Sequence, residues 1–126
     1  MAFDGGKLSN VVRVAAGTTV AIATCSSSKK VYIKSIACHA SGEFINTCRA
    51  HVYVVPNGGA VTDYTDGGHD HIVYSLNILA GETVLIEPSY PIVLDTTGDK
   101  LFVGTGEFTG LAATHCNFFI SGDQEA

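Results

Sequence analysis

Two histidines separated by one residue, His69 and His71, have the spacing in this sequence that most resembles a metal site. In an extended chain, side chains two residues apart point to the same side, so both imidazoles could bind one ion. If three copies of the chain met on a threefold axis, each copy would supply two imidazoles to that ion. The surrounding residues provide no obvious third ligand. The simpler explanation is that both histidines are polar residues of a loop that leads into a strand. We therefore treat His69 and His71 as weak metal candidates and expect no cofactor.

Three of the four cysteines have a histidine within three residues, so the residue types alone would suggest a zinc site. The pairs are Cys38 with His39, Cys48 with His51, and Cys116 with His115. In each pair the residues are an odd number of positions apart, so on a β-strand their side chains point to opposite faces. If the thiols point into the core, the imidazoles point away from it, and one tetrahedrally coordinated ion cannot bind both. The same geometry argues against a catalytic Cys-His pair, whose members must reach hydrogen-bond distance.

The cysteine spacing predicts buried free thiols. The sequence has no C-x-x-C motif and no feature that points to an oxidising compartment. Cys38 and Cys48 nevertheless flank one polar segment, and they would face each other if that segment were a hairpin loop. A disulfide between them therefore stays open as an alternative, although a reducing cytosol disfavours it.

Length, charge and hydropathy exclude several classes of function. The chain has 126 residues, a length that suits one domain whose core is large enough to be stable without disulfide bonds. Its formal charge is −5, and its seven Lys and Arg residues are spread singly, so we expect no nucleic-acid binding. No apolar run reaches about 18 residues, and the opening MAFDGGKLSN lacks the pattern of an export signal. We therefore expect a soluble protein with no membrane partner.

Alternating apolar and polar residues predict the strands that would position these side chains. In residues 48–54 every second residue is apolar, and Arg49, His51 and Tyr53 lie between them, as in a half-buried strand. Residues 31–40 are its expected antiparallel hairpin partner, joined through the polar, glycine-containing segment between the two. This hairpin is predicted to be the centre of the domain.

The remaining pattern predicts an all-β fold. Within residues 31–40 the alternation changes phase between Ile33 and Ile36, which indicates either a β-bulge near Ser35 or a strand buried on both faces. Short strands with turns every 8 to 12 residues favour an antiparallel two-sheet sandwich of about eight strands, in jelly-roll or Greek-key order. The expected organisation is an N-terminal arm (1–10) that orders only against something else, a β-sandwich domain (11–121) and an acidic tail (122–126).

The order of motifs resembles a group of small tailed-phage virion proteins. The similar segments are VAAGTTVAI from Val14 to Ile22, the strand ending VYVVPNGG, and HIVYSLNILAGETVLIEPSYPIVLDTTGDKLFV. The resemblance covers most of the chain, from about Val11 to Val103. The chain differs from the family in its higher cysteine and histidine content and in its final segment, LAATHCNFFISGDQEA. The resemblance implies a non-enzymatic β-sandwich subunit of the virion: a head decoration (cement) protein, or an accessory subunit of the neck, tail or baseplate.

The resemblance also implies protein partners and a surface that binds them. We expect a homo-oligomer, with a trimer favoured, that binds the major capsid protein or other virion proteins and is assembled in the host cytoplasm. Strand alternation places several aromatic residues on outer faces, where they could contact neighbouring subunits. These predicted interaction residues are Tyr53, Phe119, Phe44 and Phe108.

Two other classes of function stay open at the level of sequence. A β-sandwich could be a carbohydrate- or receptor-binding module, although Trp is absent and the aromatic residues are not clustered. A small metal-dependent enzyme of cupin type would match G-x-H-x-H at residues 67–71. The Glu and the third His that cupins place afterwards do not follow.

Overall fold

The computed structural model describes residues 3–9, 11–15, 18–27, 29–41, 47–59, 72–105 and 115–125, and these ranges contain ten β-strands. The strands are β1 (Phe3–Lys7), β2 (Val12–Ala15), β3 (Thr19–Thr24), β4 (Val31–Ser41), β5 (Thr47–Val55), β6 (Ile72–Leu79), β7 (Thr83–Ile86), β8 (Ile92–Leu94), β9 (Lys100–Thr105) and β10 (His115–Glu125). Among these residues no helix has the length and hydrophobicity needed to cross a bilayer.

The strands form two antiparallel sheets that enclose one core. In the six-stranded sheet, β1 and β2 pair with β10, β10 pairs with β4, and β7 and β8 pair with the other edge of β4. The four-stranded sheet has the order β3-β9-β5-β6. The predicted fold class, an all-β antiparallel sandwich of two sheets, is confirmed, with ten strands in the described ranges instead of about eight.

The core is built from the inward residues of both sheets. In β10, Cys116, Phe118 and Ile120 are fully buried, whereas the residues between them are half-buried. Leu101 and Val103 of β9 contribute from the four-stranded sheet and are also fully buried. Removing a large apolar side chain from water contributes roughly 1.5–3 kcal/mol, so such alternating strands are stable only when a second sheet covers their apolar face.

The change of phase in β4 is a β-bulge. In the pairing with β10, Ser35 lies opposite Ser121 but Ile33 lies opposite Gly122, so Lys34 is the extra residue. The hydroxyls of Ser35 and Ser121 are hydrogen-bonded to each other next to it. The bulge returns the apolar residues on both sides of it to the inward face, as the alternation near Ser35 predicted.

β4 and β5 do not form the predicted hairpin. β4 pairs only with strands of the six-stranded sheet, whereas β5 pairs with β6 and β9 in the other sheet. The segment between β4 and β5 therefore connects the two sheets. The prediction was wrong because a strand can bury one apolar face with any partner at its edges, so alternation identifies the face and not the neighbour. Of the consecutive strands in the described ranges, only β5 and β6 pair with each other.

The two ends of the chain are paired strands and not the expected arm and tail. β1 runs antiparallel to the end of β10, from Phe3 opposite Glu125 to Lys7 opposite Ser121. The backbone N–H of Glu125 also donates to the carbonyl oxygen of Lys30 at 2.9 Å. These segments lack apolar alternation, and their backbone groups are satisfied by pairing with each other across almost the whole length of the chain.

Candidate functional site

The outer face of the six-stranded sheet carries an apolar row across three neighbouring strands. Leu85 of β7 lies opposite Ala37 of β4, and Ala37 lies opposite Phe119 of β10. Directly opposite residues on antiparallel strands share a face, so these three side chains are adjacent. Leu85 is 56% exposed, and the other two are half-buried. We call Leu85, Ala37 and Phe119 the outer row, and its contiguous apolar area suits a protein contact.

Of the predicted interaction residues, Phe119 belongs to the outer row and Tyr53 does not reach the surface. Tyr53 lies in β5 and is only 1% exposed. The expectation that it is exposed is wrong, because the face of β5 opposite the core is itself covered by the chain. The other predicted residues of the surface and of the metal candidate lie outside the described residues: Phe44, Phe108, His69 and His71.

His51 is buried together with Tyr53. It is 1% exposed, and the centroids of the two rings are 6.0 Å apart. The predicted surface position of His51 is therefore wrong, although His51 and Cys48 do lie on opposite faces of β5, as their spacing requires. Within the described part of the chain, no group of three or more His, Cys, Asp or Glu side chains is arranged to hold a metal ion.

Ser41, His115 and Arg13 form a polar chain at one end of the same outer face. Nε2 of His115 is 2.9 Å from Oγ of Ser41, and its Nδ1 is 3.2 Å from Nη2 of Arg13. A guanidinium only donates, so Nδ1 accepts and the neutral imidazole carries its proton on Nε2. Nε2 then donates to Ser41 and cannot remove the serine proton, as a general base must. The chain therefore links β2, β10 and β4 without activating a nucleophile.

A shallow cavity of about 240 Å³ lies near the bulge on the outer face. It is lined by Tyr32, Lys34, Pro91 and Asp123. Nζ of Lys34 and Oδ2 of Asp123 form an ion pair at 2.5 Å, and both side chains are partly exposed. The two charges neutralise each other, so the cavity offers a ligand no net charge, and an exposed pair of this kind contributes little to stability.

The four cysteines are buried free thiols, as the sequence predicts. Cys38 and Cys48 lie in facing sheets and are not bonded to each other. Burial, with a smaller contribution from Cys48, raises the pKa of the Cys38 thiol to about 12. The thiols of Cys48 and Cys116 are hydrogen-bonded to each other, which lowers the pKa of Cys48 and raises that of Cys116. The fourth thiol, Cys25, donates to the carbonyl oxygen of Lys29 at 3.3 Å, and burial raises its pKa.

The sequence prediction missed three exposed apolar residues of the surface. Leu85 is 56% exposed, Val93 of β8 is 42% exposed and Tyr90 is 85% exposed. A signal for Leu85 was available, since Val84 and Ile86 share one face of β7 and therefore place Leu85 on the other. The alignment of Leu85 with Phe119 could not be predicted from the sequence. It depends on the registers of β7 and of β10 with β4, and these strands are not neighbours in the chain.

No family model and no curated protein matches the chain. Among solved structures, the chain is similar to part of a chain in "Structure of infectious bursal disease virus Gt strain", with 12% sequence identity and a TM-score of 0.47. The similarity covers 98% of this chain and 32% of the other, so this chain spans about a third of that chain's length. A similarity of this size says nothing about function.

Proposed function

We propose that the protein is a non-enzymatic structural subunit of a tailed-phage virion, and that it is a decoration (cement) subunit that binds the assembled head. The observation that carries the proposal is the outer row, a contiguous apolar strip on an open sheet face. The motif order from Val11 to Val103, which resembles small tailed-phage virion proteins, supports the same function. A rigid two-sheet scaffold suits this role, since it presents a fixed surface to neighbouring subunits at little conformational cost.

The polar groups of the described residues support a binding role over catalysis. The arrangement closest to a catalytic pair is Ser41 with His115. Because Arg13 donates to Nδ1 of His115, the imidazole proton is on Nε2, the nitrogen that faces Ser41 and would have to accept the serine proton. The inward thiols of Cys38, Cys48 and Cys116 are separated by the sheets from the imidazoles on the outer face. The proposed function therefore needs no cofactor and no reacting side chain.

The proposed assembly is a closed homotrimer that clamps adjoining subunits of the major capsid protein. In a closed trimer each copy buries the same two complementary patches, and no open end is left for further growth. A subunit that binds only the assembled shell stabilises it by mass action, since shell opening then requires the subunit to dissociate. In this arrangement the outer row contacts the capsid.

Binding to particles with a matched pair of variants tests the outer row. Leu85 is 56% exposed in the six-stranded sheet, and Leu79 is 53% exposed in the four-stranded sheet. Leu85→Asp and Leu79→Asp introduce the same charge at similarly exposed leucines on different sheets. We expect Leu85→Asp to weaken cosedimentation with capsid particles at least about tenfold, since desolvating an unpaired carboxylate costs more than 1.4 kcal/mol, and Leu79→Asp to bind like the unsubstituted protein.

Image reconstruction and native mass spectrometry test the location and the trimer. Density for the protein on the capsid surface, with a trimeric mass in solution, supports the decoration role. Density at the neck, tail or baseplate would instead support the accessory role. A monomer that adds no density to particles contradicts the proposal, and specific glycan binding would favour a carbohydrate- or receptor-binding module.

A further inference from the structure

The two arginines of the chain lie on the outer faces of different sheets. Arg13 belongs to β2 of the six-stranded sheet, and Arg49 belongs to β5 of the four-stranded sheet. Both are exposed, and side chains of the neighbouring strand hold each guanidinium by hydrogen bonds. The pair therefore compares a cation on the face of the outer row with a cation on the opposite face of the sandwich.

The guanidinium of Arg13 is held in position through one of its donors. Nη2 of Arg13 is 3.2 Å from Nδ1 of His115, and Nε2 of His115 is in turn 2.9 Å from Oγ of Ser41. A guanidinium has five N–H donors in a rigid planar fork, and His115 accepts from one of them. Within the described ranges, the ion pair that forms joins Lys34 to Asp123, so no described carboxylate neutralises Arg13. The fork is thus fixed in direction and can bind an acceptor on another molecule.

The strand register places Arg13 beside the outer row. Arg13 lies opposite Asn117 of β10, and Phe119 is two residues further along the same face. Diagonal neighbours of this kind are about 7–8 Å apart, which is within reach of a long side chain. A protein that covers the outer row must therefore cover the guanidinium of Arg13 as well.

Covering this guanidinium requires an acceptor from the partner. Removing a charge from water costs free energy unless the charge is paired. A carboxylate matches the planar fork and can accept two N–H bonds from it. The formal charge of the whole chain is −5, so its field disfavours acidic partners at most other places. Charge complementarity therefore favours Arg13 as the place where an acidic group of the partner binds.

We propose that Arg13 and the outer row form one docking surface, and that its partner is a protein surface that presents a carboxylate beside an apolar side chain. The inference rests on the proposed function, since it states the chemistry that the head surface presents to this protein. Arginine and aromatic residues dominate the binding energy of many interfaces, and Arg13 lies next to Phe119. The carboxylate also fixes the orientation of docking, because Arg13 lies to one side of the outer row.

Arg49 provides a matched control for Arg13. Its Nε is 3.1 Å from Oγ of Ser75, and its Nη1 is 3.2 Å from Oδ1 of Asn77. These two acceptors belong to its own sheet, so two of its donors are already in use. Arg49 is exposed like Arg13, but it lies on the face that does not carry the outer row.

Cosedimentation with capsid particles at several salt concentrations tests the docking surface. We expect Arg13→Ala to weaken binding at low salt at least about tenfold and to remove most of its salt dependence, whereas Arg49→Ala should bind like the unsubstituted protein. Arg13→Lys keeps the charge but not the fork, so it should recover less than about half of the lost binding free energy. Thermal midpoints of the three variants check that each is folded.

The outcomes separate this inference from the proposed function. If the unsubstituted protein does not sediment with the particles, both are overturned. If it binds and Arg13→Ala binds as tightly, the docking surface is wrong and the proposed function stands. Equal losses in Arg13→Ala and Arg49→Ala would overturn the docking surface, because any surface cation would then have the same effect. Full recovery by Arg13→Lys would overturn it too, since a point charge would then suffice.

Discussion

β10 and β5 are long strands at the centre of the two sheets, and apolar residues alternate in the same way in both sequences. The two strands differ in how far the face opposite the core is buried. In β10 the inward residues are buried and Phe119 on the other side is half-buried. In β5, His51 and Tyr53 lie opposite the core face and are each 1% exposed. Alternation therefore identifies which residues share a face, but it does not show whether the second face is open or covered. The six-stranded sheet offers a surface at β10, and the four-stranded sheet offers none at the centre of β5.

Truncation of one aromatic residue in each strand is expected to show the largest difference. Tyr53→Ala should lower the free energy of unfolding by about 3–5 kcal/mol, because it empties a fully covered position. Phe119→Ala should cost about 1–2 kcal/mol, because that side chain already contacts solvent. Urea unfolding of both variants measures this, with the exposed Tyr90→Ala as a control that should cost less than about 0.5 kcal/mol. Equal costs at Tyr53 and Phe119 would remove the distinction between the two faces.

Two glycines test how closely the backbone is packed in each sheet. A Cβ atom on Gly122, beside the bulge, would overlap the carbonyl oxygen of Tyr32, whereas at Gly104 of β9 the first atom it would meet is the side-chain methyl of Thr19. The carbonyl oxygen of Tyr32 is held in a strand ladder and cannot move aside, whereas the Thr19 side chain can shift, and the carbonyl oxygen of Thr18 is farther from the added Cβ, at 3.0 Å. We expect Gly122→Ala to lower the free energy of unfolding by about 3 kcal/mol and Gly104→Ala by about 1 kcal/mol.

Thermal or urea unfolding of the two glycine variants distinguishes these costs. The reverse order would mean that the bulge in the six-stranded sheet adapts more readily than the four-stranded sheet does around Gly104. That result would also weaken the interpretation of the outer face near the bulge as a rigid surface.

Asp99 is expected to give the smallest effect, and it lies where the two sheets meet. Its carboxylate accepts hydrogen bonds from the backbone N–H of Thr96, after β8, and of Asn57, after β5, each at 3.0 Å. These bonds, that from Thr96 first, lower the pKa of Asp99 below its usual 3.8. A lowered pKa in the folded state stabilises the protein above the unfolded pKa, and that stability is lost as the pH falls through the folded pKa.

Asp99→Asn should therefore cost less than about 1 kcal/mol at neutral pH, because Asp99 is only half-buried and its hydrogen bonds are accessible to solvent. The difference from the unsubstituted protein should shrink as the pH falls below about 4. Urea unfolding at several pH values measures it. A difference that grows on acidification would contradict the assigned hydrogen bonds.

Much of the fold could be predicted from local patterns, and the candidate surface could be predicted only in part. Most strands and the buried thiols follow from side-chain periodicity and from the types of residues, and the bulge near Ser35 was one of the two alternatives that the change of phase allowed. β1 and the end of β10 were instead predicted as an arm and a tail. The predicted hairpin between β4 and β5 was wrong because β4 pairs with β7, β8 and β10 in one sheet, whereas β5 pairs with β6 and β9 in the other. Phe119 was found from alternation within its own strand. Leu85 was missed, and Tyr53 was misplaced because alternation within β5 does not show that its second face is covered.

The sequence by itself determined which side chains share a face of each strand, because the two-residue period is a property of the extended backbone. It thereby placed thiols and imidazoles on opposite faces. Only the tertiary structure decided which strands are neighbours, which outer face stays open, and that Cys48 lies in the sheet facing Cys38 and Cys116. Those outcomes depend on the packing of segments far apart in the chain, and no local pattern records that packing.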